Sequence, residues 1–262
     1  MLSIFRLGAF LLAFILSLTG RAFNFIDAES AKDILRSTKE LMSPSMIGTQ
    51  KGFELKKSVG IAKLSQKDGS FIVHSNKRSN CTTATHAVFL KTLASLNAQG
   101  KIKLSQKTIR TLNSPLFWNI WNSNGYGPLK LIDDLGGTVF DKKDLKALKP
   151  GDFVKLDRKK SGHMVIFTRF KGSQICYWSS NKSTKGLGET CRSTSSSLIR
   201  AGRLPSLNTL SANLDSLAEK MQTGSAYADV RKRGGGGYVA FNTSINKYSS
   251  RHLASAFHEG AD

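Results

Sequence analysis

The spacing of apolar positions changes several times along the chain, and each change marks an element. From Asp27 to Met42, Ile34, Leu35, Leu41 and Met42 share one side of a short predicted helix that stops before Pro44. Val59 to Gln66 and Phe71 to His74 read as two strands joined through Asp68-Gly69, a dipeptide suited to a hairpin. Asn80 follows as a helix N-cap, with Ala84, Val88, Phe89, Leu93 and Leu96 at helical spacing up to Gly100. Asn113 to Gly127 is crowded with Asn, Ser, Gly and aromatic residues. It reads as a loop feeding a helix that begins near Pro128.

Beyond Lys149 the pattern turns from helix to strand. Pro150-Gly151 makes a turn, then DFVKLD, a loop RKKSG, HMVIFTRF, a turn KGS and QICYWSS spell a three-stranded antiparallel meander. Leu207, Leu210, Leu214, Leu217 and Met221 alternate three and four apart, a helical stripe too short for a coiled coil. Arg231-Lys232-Arg233 and four glycines then open a basic tail. No internal repeat is present. The pattern predicts an α+β protein with a helix packed on a small antiparallel sheet, followed by a C-terminal helix and tail. Its expected divisions are 1–22, 23–50 (a helical segment), 51–198 (the core) and 199–262.

The first division is set apart by its flanks. Arg6 precedes an almost wholly apolar run, Leu7 to Leu18, and Gly20-Arg21-Ala22 offers small residues where a signal peptidase reads them. The run is about a dozen residues, short of the roughly 20 that span a bilayer. The expectation is a secretory signal peptide, hence a secreted or periplasmic protein. Composition then adds a partner class. The full chain of 262 residues has 39 Lys and Arg against 18 Asp and Glu, a net charge of +21. Loss of Arg6 and Arg21 on cleavage after Ala22 would leave +19. Such a surface attracts polyanions. For an exported protein that means peptidoglycan or another anionic envelope polymer rather than a specific nucleic acid. A hydrophobic fraction of 40% excludes a disordered chain, and 3 cysteines exclude a disulfide-dense scaffold. In an oxidising compartment three cysteines leave one over: Cys176 and Cys191 flank a turn-rich stretch and can bridge, leaving Cys81.

Cys81 is also where chemistry is expected. At the start of a helix its sulfur meets the positive end of the dipole, which favours the thiolate a cysteine nucleophile needs. Its base must come from elsewhere, and His163, at the opening of the central meander strand after Ser161-Gly162, is placed to leave its ring accessible. Hairpin arithmetic names the third group. With the turn at Lys171-Gly172, Lys171–Ser173 or Gly172-Ser173, His163 falls opposite Ser180, Asn181 or Lys182 on one face of the sheet. Asn181 can orient the imidazole as the third member of a triad does, Ser180 more weakly, and Lys182 cannot. His74, Cys81 and His86 lack a zinc-site spacing, and no Gly-rich nucleotide motif or cofactor site is present.

A cysteine at a helix start, then PGDFVKLDRKKSGHMVIFT, then a strand ending in SSN, is similar to the NlpC-type and CHAP-type cell-wall cysteine hydrolases. The resemblance covers about 40% of the chain, from Ser79 to Asn181. It implies a papain-like core with Cys81 as nucleophile, His163 as base and Asn181 as orienting residue. It further implies cleavage of amide bonds in peptidoglycan stem peptides or cross-links. This sequence departs from the family in following its cysteine with Thr-Thr-Ala-Thr and in the residues beyond Asn181. Trp118, Trp121 and Tyr126 are candidates to line a substrate groove for sugar or peptide, or else to pack under their loop. The alternative is a non-enzymatic basic protein that binds the envelope, with Cys81 and His163 buried as packing residues; a weaker one is a secreted nucleic-acid binder.

Overall fold

The computed structural model describes residues 62–73, 79–123, 126–158, 161–181, 184, 186–193 and 198–223. The expected signal peptide, the helix expected at 27–42 and the basic tail therefore lie outside the described residues. So do His74 and the side chain of Tyr126.

The chain is mixed α+β. Strands β1 (Ala62–Leu64) and β2 (Phe71–Val73) form a two-stranded antiparallel hairpin. Gly69 takes φ 71°, a left-handed conformation that favours glycine, and Asp68 Oδ1 accepts from the Ser70 N–H. Helix α1 (Cys81–Ala98) follows. It is buried on almost every side, threonines and His86 included, so its sequence shows no single apolar stripe.

Three short helices come next: α2 (Gln106–Leu112), α3 (Pro115–Trp121) and α4 (Tyr126–Asp134). Helix α3 is a correction, since Asn113–Gly127 was expected to be a loop. Ser114 caps it by accepting from the Phe117 N–H at 3.1 Å, and Pro115 occupies the first turn, where its missing N–H costs nothing. Phe117, Ile120 and Trp121 then fall at helical spacing and bury. The polar residues around it are its caps.

A six-stranded antiparallel sheet completes the core, in the order β3-β8-β4-β5-β6-β7. Its strands are β3 (Thr138–Asp141), β4 (Phe153–Arg158), β5 (Ser161–Lys171), β6 (Gln174–Asn181), β7 (Gly186–Ser193) and β8 (Leu198–Arg203). Helix α5 (Leu207–Thr223) buries the predicted stripe of Leu207, Leu210, Leu214, Leu217 and Met221. The expected meander is present as β4-β5-β6, but it is the middle of a larger sheet. The division expected at 198/199 also falls inside the fold, because β8 inserts between β3 and β4. The short run LIRAGR carries two arginines and no clean alternation. Its place is fixed instead by tertiary contacts, as at Gly202, where a Cβ would stand 2.8 Å from Leu129 of α4.

The sheet has two buried faces. Phe153, Met164, Ile166 and Trp178 pack with α1 and the other helices. The residues between them, Val154, Val165, Phe167 and Tyr177, form a second cluster with Leu156, Ile175 and Ala201. Alternation along each strand assigns every neighbouring residue to one face or the other.

Candidate active site

Helix α1 opens on Cys81 because Asn80 stops the strand-like approach and caps the helix. The Asn80 side chain accepts from the Thr83 N–H at 3.0 Å, and Thr83 Oγ1 accepts from the Asn80 N–H at 2.8 Å, a reciprocal capping box. No acidic residue occupies the first turn, so no side-chain carboxylate there competes with the thiol for the positive end of the dipole. Cys81 is half-buried and takes no part in a disulfide. Cys176 and Cys191 form the anticipated disulfide, directly opposite each other on β6 and β7 with Cα atoms 4.0 Å apart. Glu189 lies beside them in a group whose geometry suits an ion, but the disulfide takes both sulfurs out of ligation.

The approach to Cys81 is fastened to β6. Ser79 Oγ donates to Ser180 Oγ at 2.8 Å, and Ser180 Oγ donates to the Ser79 carbonyl at 2.9 Å; both residues are fully buried. One residue further on, Asn181 has the opposite orientation in the strand.

The register of β5 against β6 decides what Asn181 faces. The turn is Gly172-Ser173, with Lys171 opposite Gln174 and Gly172 at φ 56°. That register alone would set His163 against Lys182. Between Phe167 and Arg169 the pairing shifts by one, leaving Thr168 as the extra residue of a bulge. Beyond it Phe167 pairs with Tyr177 and Ile166 with Trp178. Carried on to the strand end, this register sets His163 opposite Asn181. The bulge thus replaces a lysine, which cannot accept a hydrogen bond from an imidazole N–H, with an amide that can. Asn181 Oδ1 accepts from the Thr184 N–H at 3.1 Å, which holds the carboxamide and leaves a second lone pair.

His163 pairs with Leu156 on β4, and its ring stands edge-on to Tyr177 with centroids 6.0 Å apart. Both neighbours belong to the second cluster, and His163 is 2% exposed. The expectation of an accessible ring is therefore corrected. Arg158–Ser161 pairing continues the β-ladder past His163, so the Ser-Gly pair does not break the strand before it. The structure brings His163 and Asn181 to one face at the end of β5 and β6. It brings the segment leading into Cys81 to the other face of that same end, through Ser79 and Ser180.

The candidate groove aromatics separate. Trp121 is fully buried, packed on Phe89 and Phe153, and its indole N–H donates to Thr85 Oγ1 at 3.2 Å. A side chain with no exposure cannot line a groove, so Trp121 is core. Trp118 is half-buried one turn before it. At the C-terminal end of α3, the exposed Asn122 accepts from Thr82 Oγ1 at 2.7 Å, one residue from Cys81.

Sequence reasoning missed His86. It is 4% exposed, enclosed by the rings of Phe117, Trp118 and Trp121, and neither ring nitrogen has a hydrogen-bond partner among the described residues. Burial pushes its imidazole down from 6.5 to about 3. The folded protein therefore excludes the proton that an unfolded His86 binds below pH 6.5. Stability should fall with pH through that window, by about 3 kcal/mol between pH 7 and pH 4 from this residue. His86→Leu should flatten the profile, read as denaturation midpoints against pH. An unchanged slope would count against this account of the residue.

No family model, curated protein or solved structure matches the chain.

Proposed function

We propose that this protein is an exported cysteine hydrolase with a papain-like core that cleaves amide bonds in peptidoglycan stem peptides or cross-links. The observation that carries the reading is the fastening of a capped helix opening on Cys81 to the strand end where Asn181 aligns with His163. In this reading Cys81 attacks the amide carbonyl as the thiolate. His163 takes the thiol proton and returns it to the leaving amine, and Asn181 holds the ring in the required tautomer. This requires the ring to reach Cys81 around the strand end, because the segment leading into Cys81 lies on the opposite face of the sheet. Backbone N–H groups of the first turn of α1 stabilise the oxyanion. Water then hydrolyses the acyl-enzyme with His163 as base. A net charge of +19 after cleavage supports retention on an anionic wall, and the disulfide fits export to an oxidising compartment.

A second reading, a non-catalytic envelope-binding protein, is favoured by two observations: the burial of His163 against Tyr177, and its place on the face of the sheet opposite the segment leading into Cys81. Alkylation separates the two. On the enzyme reading, Cys81 reacts with iodoacetamide at pH 7 at least tenfold faster than a model thiol of pKa about 8.5, and His163→Ala removes the excess. A thiol that resists until the protein unfolds supports the binding protein instead.

A further inference from the structure

Three consecutive residues at the end of β6 make contacts in three directions. Ser179 Oγ donates to the Met164 carbonyl of β5 at 3.1 Å and so zips the two central strands together. Ser180 shares the helix-facing side with Trp178, two residues before it, and grips Ser79. Asn181 returns to the side of Tyr177 and His163. Strand alternation makes this unavoidable: whatever position Ser180 gives to Ser79 is given relative to Asn181, its covalent neighbour.

We infer that the Ser79–Ser180 pair is a positioning clasp that sets the start of α1, and with it Cys81, against the strand end bearing Asn181. This rests on the proposed cysteine chemistry and deepens it. The two hydroxyls make two hydrogen bonds between segments 101 residues apart in sequence, and both side chains are fully buried. Only one residue, Asn80, separates the clasp from Cys81, and its own side chain is committed to capping α1. The segment 79–81 therefore has little freedom to adjust if the clasp is lost. Ser79 and Ser180 touch no reacting atom in this scheme; they act through the placement of Cys81. The distinction matters because a nucleophile displaced by about 1 Å can lose on the order of a hundredfold in rate while the fold persists.

The test uses the full chain carrying Ser180→Ala, which removes both bonds, and Ser79→Ala, which keeps the Ser180 hydroxyl on the Ser79 carbonyl. The readout is the iodoacetamide rate of Cys81 against pH, alongside kcat and KM for wall digestion. Ser180→Ala is expected to move the Cys81 titration toward that of an ordinary thiol and lower kcat at least tenfold with KM little changed. Ser79→Ala should do the same to a lesser degree. A lower melting temperature with the thiol profile and kcat intact would make the pair structural only and overturn the clasp. If Ser180→Ala does not fold, Ser79→Ala alone decides by the same two readouts. A wild-type Cys81 that already titrates as an ordinary thiol would overturn the cysteine chemistry, and the clasp with it. A shifted wild-type profile that both variants leave in place overturns the clasp alone.

Discussion

Asp152→Ala should lower the stability of the fold by about 3–5 kcal/mol, the range for removing one partner of a buried charge pair. Asp152 is 2% exposed, and its carboxylate accepts from Arg203 Nε and Nη2 at 2.8 Å each and from the Lys149 N–H at 2.8 Å. Arg203 also donates to the Ala147 carbonyl at 2.6 Å and lies over the Phe140 ring. Deleting the carboxylate strands a guanidinium with 17% side-chain exposure and leaves a turn N–H unpaired. It also loosens β8, whose seat between β3 and β4 this pair ties down. Urea unfolding of the two proteins at pH 7 measures the difference, and a loss below about 1 kcal/mol would contradict it, because surface pairs are worth that little. The Gly-Asp turn before β4 thus has a structural reason of its own. Its aspartate holds the sheet together and needs no part in the chemistry.

The second large effect is kinetic. If the protein is the proposed cysteine hydrolase, Cys81→Ala and His163→Ala should each reduce wall hydrolysis by on the order of 10⁴, and the double variant should be little worse than either, because members of a triad act as a unit. Asn181→Ala should cost less, since a neutral amide orients the ring without carrying charge through the reaction. The substitutions have different structural footprints. Cys81 is half-buried at a helix start, so alanine there leaves the capping box intact. His163 is buried against Tyr177, so its alanine variant opens a void in the second cluster and should be less stable as well. A catalytic His163 is distinguished by lost turnover at temperatures where the variant remains folded.

Local chemistry made much of this fold legible. Asn80 announced α1, Asp68-Gly69 the hairpin, and the leucine stripe α5, because each signal is written in residues that touch one another in sequence. The meander was legible for the same reason, and so was the Cys176–Cys191 bridge, given a short connection between its strands. Long-range placement was not. Nothing in LIRAGR tells that β8 inserts between β3 and β4, since that depends on Asp152 and Arg203 meeting across 51 residues. Helix α3 was hidden because its capping residues, Ser114 and Asn122, resemble loop composition when counted rather than placed.

The cross-strand partner of His163 was legible to within one residue. Turn chemistry narrowed the partner of His163 to Ser180, Asn181 or Lys182, and the bulge at Thr168 selects Asn181. A one-residue bulge leaves no mark in a pattern of alternating apolar residues that is buried on both faces. That double burial also concealed the environment of His163: when both faces of a strand are apolar, sequence does not tell which face is covered. The Ser79–Ser180 contact was invisible for a plainer reason. Two serines 101 residues apart carry no sequence signal of their pairing.

The most direct test of the central claim is a digest of purified peptidoglycan by the chain from Phe23, beside Cys81→Ala, with soluble fragments weighed by mass spectrometry. The account predicts fragments whose masses fit a cut amide bond, present with the wild type and absent with Cys81→Ala. Fragments released equally by both proteins, or by neither while both sediment with the wall, would contradict it and leave a basic envelope-binding protein.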